Sequence, residues 1–218
     1  MSSQPTTVAA ALEGASRRLA QAGVESPGVD AELLLAHVLG TTRSALRADG
    51  RRELDPEQEA TFAALLARRA TREPLAYVLG EWGFRRLTLK VDRRVLVPRP
   101  ETEVVVERCL ARLTGLDATR VLDVGTGSGA IALALADEHP GAHITGMDAS
   151  ADALAVAREN AARTGLAVEL VAGDLYAGLP AGPAAHAGDY GRAAGGSMLQ
   201  AATESASLTM ICDPAIAR

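Results

Sequence analysis

The chain has 218 residues, a formal net charge of −5 and 48% hydrophobic residues. That length holds one or two modest domains, and that apolar content excludes a globally disordered chain. The acidic balance argues against direct nucleic-acid binding, which usually brings a basic excess. No apolar run reaches the ~18 residues that a membrane span needs.

Aromatic residues make up only 3%, so the core has to be built from Ala, Leu and Val. Lys90 is the only lysine, and every other basic side chain is arginine. Arg17, Arg18, Arg43, Arg47, Arg51 and Arg52 fall in the first quarter, either as solvated helix faces or as a docking surface. Cys109 and Cys212 stand far apart, and His37, His139, His143 and His186 form no ligand spacing. No metal is therefore expected, and free thiols suit a reducing, cytoplasmic setting. The N-terminal stretch lacks the basic-then-apolar layout of a signal peptide.

In chain order, residues 1–78 predict a small helical domain. Val8, Leu12, Ala15, Leu19 and Ala22 recur at helical spacing, and Gly23 can end that helix. Ser26 before Pro27 reads as a helix start, followed by AELLLAHVL up to Gly40. Asp55-Pro56 repeats the signal, and Gln58 can close a capping box. That helix carries Phe62, Leu65 and Leu66, ends near Thr71, and is broken at Glu73-Pro74.

Residues 79–97 change period. Leu87, Leu89 and Val91 alternate with polar residues, and Val95 and Val97 resume after Asp92-Arg93-Arg94. This predicts a β-hairpin linker that needs a neighbour to pack on.

From residue 98 the pattern alternates strand and helix, which implies a parallel, doubly wound sheet. A helix over 101–113 precedes buried strands at 120–124, 143–148 and 168–172. Helices AIALALADE and ADALAVARENAAR lie between them. Ser150 is expected to cap the second helix and Gly165 to end it. Beyond residue 181 the chain is rich in Ala, Gly and Ser, and at most AATESASLTMI predicts a short helix or strand.

The first strand runs into Asp123-Val-Gly125-Thr126-Gly127-Ser128-Gly129, and the second closes on Asp148. Glycines allow a sharp turn and close approach to a ligand. An acidic residue at the end of the second strand reaches the ribose hydroxyls of an adenosine cofactor. Gly125, Gly127 and Ala130 formally satisfy the dinucleotide pattern G-x-G-x-x-G/A. Asp123 and Gly129 fit better the D-x-G-x-G-x-G loop of methyltransferases that use S-adenosylmethionine. Asp174, in GDLY past the third strand, stands near the adenine position or caps an Asx turn.

REPLAYVLGEWGF (72–84) and VLVPRPETE (95–103) carry a more specific resemblance. With the helical region before them and the glycine loop after, the chain resembles the release-factor glutamine N5-methyltransferases, the HemK-type family, over residues 5–181. The resemblance implies an α/β chain: a helical substrate-recognition domain, a β-hairpin linker and a Rossmann-like methyltransferase domain over 98–181. It leaves 182–218 as a divergent tail.

The resemblance also implies S-adenosylmethionine as cofactor, held by Gly125, Thr126, Gly127, Ser128, Gly129, Asp148, Asp174 and Leu175. A substrate-side loop is implied at Pro98, Arg99, Pro100, Glu101 and Thr102. The expected partners are peptide chain release factors, with the chain a monomer. The methyl acceptor would be the side-chain amide nitrogen of the glutamine in a Gly-Gly-Gln motif. Its two amide hydrogens would be accepted by an Asn-Pro-Pro-Tyr motif after the fourth strand.

The sequence lacks that motif. Asn160 is its only asparagine, and Asp213-Pro214 lacks the amide, the second proline and the tyrosine. The catalytic residues are therefore unassigned, and the break near 181 suggests a frameshift or truncation. Two alternatives stand beside the family reading: a non-catalytic binding fragment, or a methyltransferase for another protein glutamine, such as one in a ribosomal protein. The family strand order 3-2-1-4-5 without its fourth member leaves the first strand as a bare edge, which predicts poor solubility or partial folding.

Overall fold

The structure, a computed structural model, describes residues 6–116, 119–174 and the backbone of 208–212. The chain divides into two compact units, Met1–Gly80 and Glu81–Arg218.

The first unit is helical: α1 (Val8–Gln21), α2 (Pro27–Leu39), α3 (Arg43–Ala48), α4 (Pro56–Ala70) and α5 (Leu75–Leu79). Its core gathers Val8, Leu19, Leu34, Leu35, Phe62 and Leu66. Helix α1 ends as expected, with Gly23 at φ 73° and the Val24 N–H donating to the Leu19 carbonyl. At α2, Pro27 holds the first turn, but the Ser26 side chain makes no capping bond. At α4 the capping box is complete. Gln58 N–H donates to Asp55 Oδ1 at 2.8 Å, and Asp55 N–H donates to Gln58 Oε1 at 3.2 Å.

Two consecutive arginines secure the end of α4. Arg69 Nε donates to the buried Asp30 at 2.7 Å and its Nη1 to the Glu73 carbonyl at 3.0 Å. Arg68 pairs with the Glu73 carboxylate and reaches the carbonyls of Tyr77 and Val78. The short helices α3 and α5 lie where no helix is expected from the sequence. Thr42 caps α3, accepting from Ala45 N–H at 3.2 Å.

The second unit opens with a hairpin, β1 (Glu81–Phe84) and β2 (Leu87–Lys90), paired antiparallel from Glu81↔Lys90 to Phe84↔Leu87. The expected turn at Asp92-Arg93-Arg94 is thus corrected to Arg85-Arg86, with Arg85 at φ 50°. The side chain of Arg85 supplies the reason. It pairs with Glu138 and reaches the Glu103 carbonyl at 3.3 Å, holding a conformation that no local glycine signals. Residues 92–95 form a separate turn closed by Val95 N–H on the Asp92 carbonyl.

The remaining elements are α6 (Pro100–Leu113), β3 (Arg120–Val124), α7 (Ala130–Glu138), β4 (His143–Asp148), α8 (Ala151–Thr164), β5 (Glu169–Ala172) and β6 (Leu208–Cys212). Ser150 caps α8 and Gly165 ends it at φ 69°, as expected. The sheet order is β5-β4-β3-β6, and all three pairings are parallel. The expectation of a bare β3 edge is corrected: β6 pairs along all of β3, from Arg120↔Leu208 to Val124↔Cys212. Phe84 and Leu89 of the hairpin join the core formed by α6, α7 and the sheet, so the hairpin does find the neighbour it needs.

Replacing Asp55 by Ala removes the acceptor at the start of α4. A loss of about 1 kcal/mol in the stability of the helical unit is expected. Urea unfolding followed by helical circular dichroism would read it.

Candidate functional site

Strand β3 is buried from Val121 to Val124, and the helix that follows is buried from Ala130 to Leu135. The loop between them takes left-handed backbone at Gly125 (φ 76°), Gly127 (φ 55°) and Gly129 (φ 81°). At Gly129 a side chain would also meet Leu133 Cδ1 at 3.1 Å. Only glycine combines that conformation with so close a packing of helix on loop.

The loop rests on the end of β4. Gly125 and Thr126 N–H both donate to the Met147 carbonyl, at 2.7 and 2.9 Å. Asp148 splits its carboxylate: Oδ2 accepts from Gly127 N–H at 2.9 Å and Oδ1 from Ser150 N–H at 2.9 Å. Inside, Thr126 Oγ1 donates to the buried Asp123 Oδ2 at 2.7 Å. Asp123 therefore serves the loop from below, while half-buried Asp148 stands at the carboxyl end of the sheet. Ligands bind at that end in doubly wound sheets.

The structure brings Gly125, Thr126, Gly127, Ser128, Gly129 and Asp148 together. Thr126 and Ser128 are buried, so their side chains serve the loop itself. Asp174 is exposed just past β5, and Gly173 N–H donates to the Asp148 carbonyl at 3.1 Å. Leu175 and Asp213-Pro214 lie outside the described residues. On the substrate-side segment, Arg99, Pro100 and Glu101 are exposed, Pro98 is half-buried and Thr102 is buried. Glu101 and Glu103 lie in the first turn of α6, where negative charge favours the helix dipole. Glu103 is also anchored, its Oε1 accepting from Arg85 N–H at 3.1 Å.

Sequence reasoning missed the residues that fix the stretch just before it, 90–94. Asp92 takes both Nε and Nη2 of Arg94, at 2.9 and 2.6 Å. Arg94 also reaches Glu159 on α8 at 3.3 Å, and Glu159 pairs with Lys90. The hydrogen bond from Arg94, against the opposing effect of burial, lowers the Asp92 carboxyl to about 2. Hydrogen bonding by Lys90 likewise holds Glu159 below its ordinary range. Nothing local in the sequence signals the pairs of Glu159 with Arg94 and Lys90, whose partners stand 65 and 69 residues away. Asn160, buried beside Glu159, carried one readable sign: a polar residue on the apolar stripe of Ala153, Val156 and Ala157.

Of the N-terminal arginines, Arg17 pairs with Glu13, while Arg43 and Arg47 both pair with Glu32. Burial pushes the Cys109 thiol up to about 11, so it stays protonated and unreactive. Among the described residues, no group of His, Cys, Asp and Glu could hold a metal ion. Among them, too, no helix is long and apolar enough to cross a membrane.

The glycine loop, its acidic partner strand and the parallel order β5-β4-β3-β6 define a methyltransferase domain, and a family model described as the methyltransferase small domain matches residues 102–185. Residues 10–80 match a second model, the PrmC N-terminal domain. The chain is 51% identical over 170 residues to a release factor glutamine methyltransferase of Deinococcus radiodurans, covering 77% of this chain and 60% of that one. A relative of the same name in Caulobacter vibrioides is 45% identical over 175 residues, covering 79% and 61%. Another, in Mycolicibacterium smegmatis, is 44% identical over 172 residues, covering 79% and 59%. Over most of its length the chain is similar to these release factor glutamine methyltransferases, and it spans about 60% of their length. Among solved structures, a Pyrococcus abyssi tRNA (uracil-54, C5)-methyltransferase is similar at a TM-score of 0.36 and 18% identity. That match covers 43% of this chain and 23% of the other.

The low carboxyl of Asp92 sets an acid limit on this anchor. A carboxyl depressed from its ordinary 3.8 to about 2 in the folded protein stabilises fully above 3.8 and loses that contribution as pH falls through about 2. Amide exchange of residues 92–95 is therefore expected to stay slow, relative to intrinsic rates, down to pH near 4. It should accelerate between there and about 2.

Two hydrogen-bonded groups in the loop core give a second test. Thr126→Val keeps the shape but removes the hydroxyl donor to Asp123. A loss of about 1–3 kcal/mol is expected, read by thermal unfolding of the full chain.

Proposed function

We propose that the protein binds S-adenosylmethionine at the 125–129 loop. In this reading the family reaction is methylation of the side-chain amide nitrogen of the Gly-Gly-Gln glutamine in peptide chain release factors. The observation that carries the cofactor assignment is the pairing of the glycine loop with Asp148. The Asp148 carboxylate has a lone pair left on each oxygen after accepting from Gly127 and Ser150 N–H, enough for a vicinal diol. That donor set suits an adenosine-bearing cofactor. The left-handed glycines bring bare backbone beside the carboxylate.

When bound, the cofactor supplies an electrophilic sulfonium methyl group. The protein's own residues orient and exclude. Asp148 and the loop amides fix the adenosine end, Asp174 stands at the base side, and Leu175 is assigned beside it. Residues 98–102 present the substrate side, with Thr102 inward and Glu101 outward. An amide nitrogen is a poor nucleophile because its lone pair is conjugated, so the reaction depends on close, oriented approach. The helical unit, matched by the PrmC N-terminal domain, is assigned to release-factor recognition. The setting is the cytoplasm, where release factors act.

A second reading is favoured by one observation. The only asparagine in the sequence, Asn160, is buried and committed to backbone partners, so it cannot orient a substrate amide. In that reading residues 1–218 bind cofactor and release factor but transfer no methyl group. Incubation with labelled S-adenosylmethionine and a release factor separates the two. Label on the Gly-Gly-Gln glutamine supports transfer, binding without label supports the second reading, and label on a ribosomal protein alone redirects the substrate.

For the cofactor itself, Asp148→Ala removes the diol acceptor and a bond to the loop. Affinity for S-adenosylhomocysteine, measured by calorimetry, is expected to fall about tenfold to a hundredfold. Unchanged affinity would sink the assignment of this loop.

A further inference from the structure

Asn160 lies on α8 with no exposed surface. Its side-chain amide makes three hydrogen bonds to two distant stretches of backbone. Oδ1 accepts from Lys90 N–H at 2.6 Å, and Nδ2 donates to the Lys90 carbonyl at 3.0 Å. The other hydrogen of Nδ2 goes to the Ser128 carbonyl at 2.9 Å, inside the glycine loop. The first two bonds give Lys90 the pairing that a neighbouring strand would give it. The third holds the residue before Gly129.

Both donors of the amide are used, and each goes to a different stretch of chain. An amide that served only to fasten α8 would need one of them. Asn160 fastens β2 and the loop at the same point, in a buried setting where such bonds are strong and their loss is costly. Its neighbour Glu159 extends the hold, pairing with Lys90 and with Arg94, which is itself bound by Asp92. Residues 90–94 lead directly to the 98–102 segment.

We infer that Asn160 is a positioning residue that fixes the glycine loop and the 90–94 segment relative to one another, so that the cofactor side and the substrate side are set by one amide. The functional half of this inference rests on the cofactor and substrate-side assignments proposed above. The geometric half does not, and the experiment tests the two separately.

Asn160→Asp keeps the shape and the acceptor for Lys90 N–H. It replaces two donors by a carboxylate that faces two carbonyls. Amide exchange is followed on the full chain, wild type and variant, with and without S-adenosylhomocysteine. At about pH 7.5 the variant is expected to exchange roughly tenfold faster both at 90–94 and at 125–129, while β4 amides at 144–147 stay protected. Its affinity for S-adenosylhomocysteine should fall about tenfold.

At about pH 5.5 the introduced carboxyl, once protonated, would donate to one carbonyl, and part of both effects should reverse; the wild type has no such response. The other ionisable groups of this cluster are Lys90, Asp92, Arg94 and Glu159. The Asp92 and Glu159 carboxyls are held low and the Arg94 guanidinium high, so these three keep their charge across that range. Faster exchange in only one of the two segments, or no recovery at low pH, would overturn the coupling. If β4 also loses protection, Asn160→Ser, which leaves room for a bridging water, is measured in its place against the same two segments. If the wild type binds no S-adenosylhomocysteine, the cofactor assignment fails, while the exchange of the two segments still decides the positioning role.

Discussion

Between Val124 and Ala130 the chain leaves a buried parallel strand and starts a helix buried against the same sheet, and it has five residues in which to do so. That turn is affordable only with left-handed backbone at 125, 127 and 129, where an L side chain would be strained. The loop's amides then need partners. The Met147 carbonyl and the Asp148 carboxylate provide them from β4, and the hydroxyl of Thr126 is taken by Asp123 beneath. The acceptors that satisfy this tight reversal thus also line the carboxyl end of the sheet.

Much of this was readable because it is local. Glycine spacing, the buried runs 120–124 and 143–148, and the caps at Asp55, Ser150 and Gly165 are written within a few residues of where they act. The elements that were missed lack that property. The helices α3 and α5 are too short to show a period. The hairpin turn falls on Arg85-Arg86 because Arg85 is held from afar by Glu138 and Glu103, whereas the sequence offered the more turn-like Asp92. β6 falls at the end of AATESASLTMI, which the sequence left open between helix and strand, and its pairing with β3 decides for strand. Release-factor resemblance was legible in the PRPETE segment, yet nothing in that segment says how it is anchored.

Glu103 is held by Arg85, and the 90–94 stretch before it by α8. Its surface ion pairs, Glu159 with Lys90 and Arg94, are partly exposed, and pairs of that kind contribute little each. The buried amide beside them is different in kind. Its cost if unsatisfied exceeds its gain when satisfied, so it enforces one arrangement. Stability and specificity are divided between neighbouring residues: Glu159 adds charge that salt can screen, and Asn160 sets geometry that salt cannot.

Parallel pairing adds the last constraint. Because β6 runs parallel to β3 with Cys212 opposite Val124, its carboxyl end reaches the same edge of the sheet as the glycine loop. That edge is where ligands bind in doubly wound sheets. The 90–94 stretch, the glycine loop and the strand end draw on three separate parts of the sequence, 90–94, 123–129 and 208–212. The first two are held in register by α8 and the last by backbone pairing with β3. A change in the residues between β5 and β6 leaves the hold on the first two in place, since it is made by Asn160, Glu159, Met147 and Asp148.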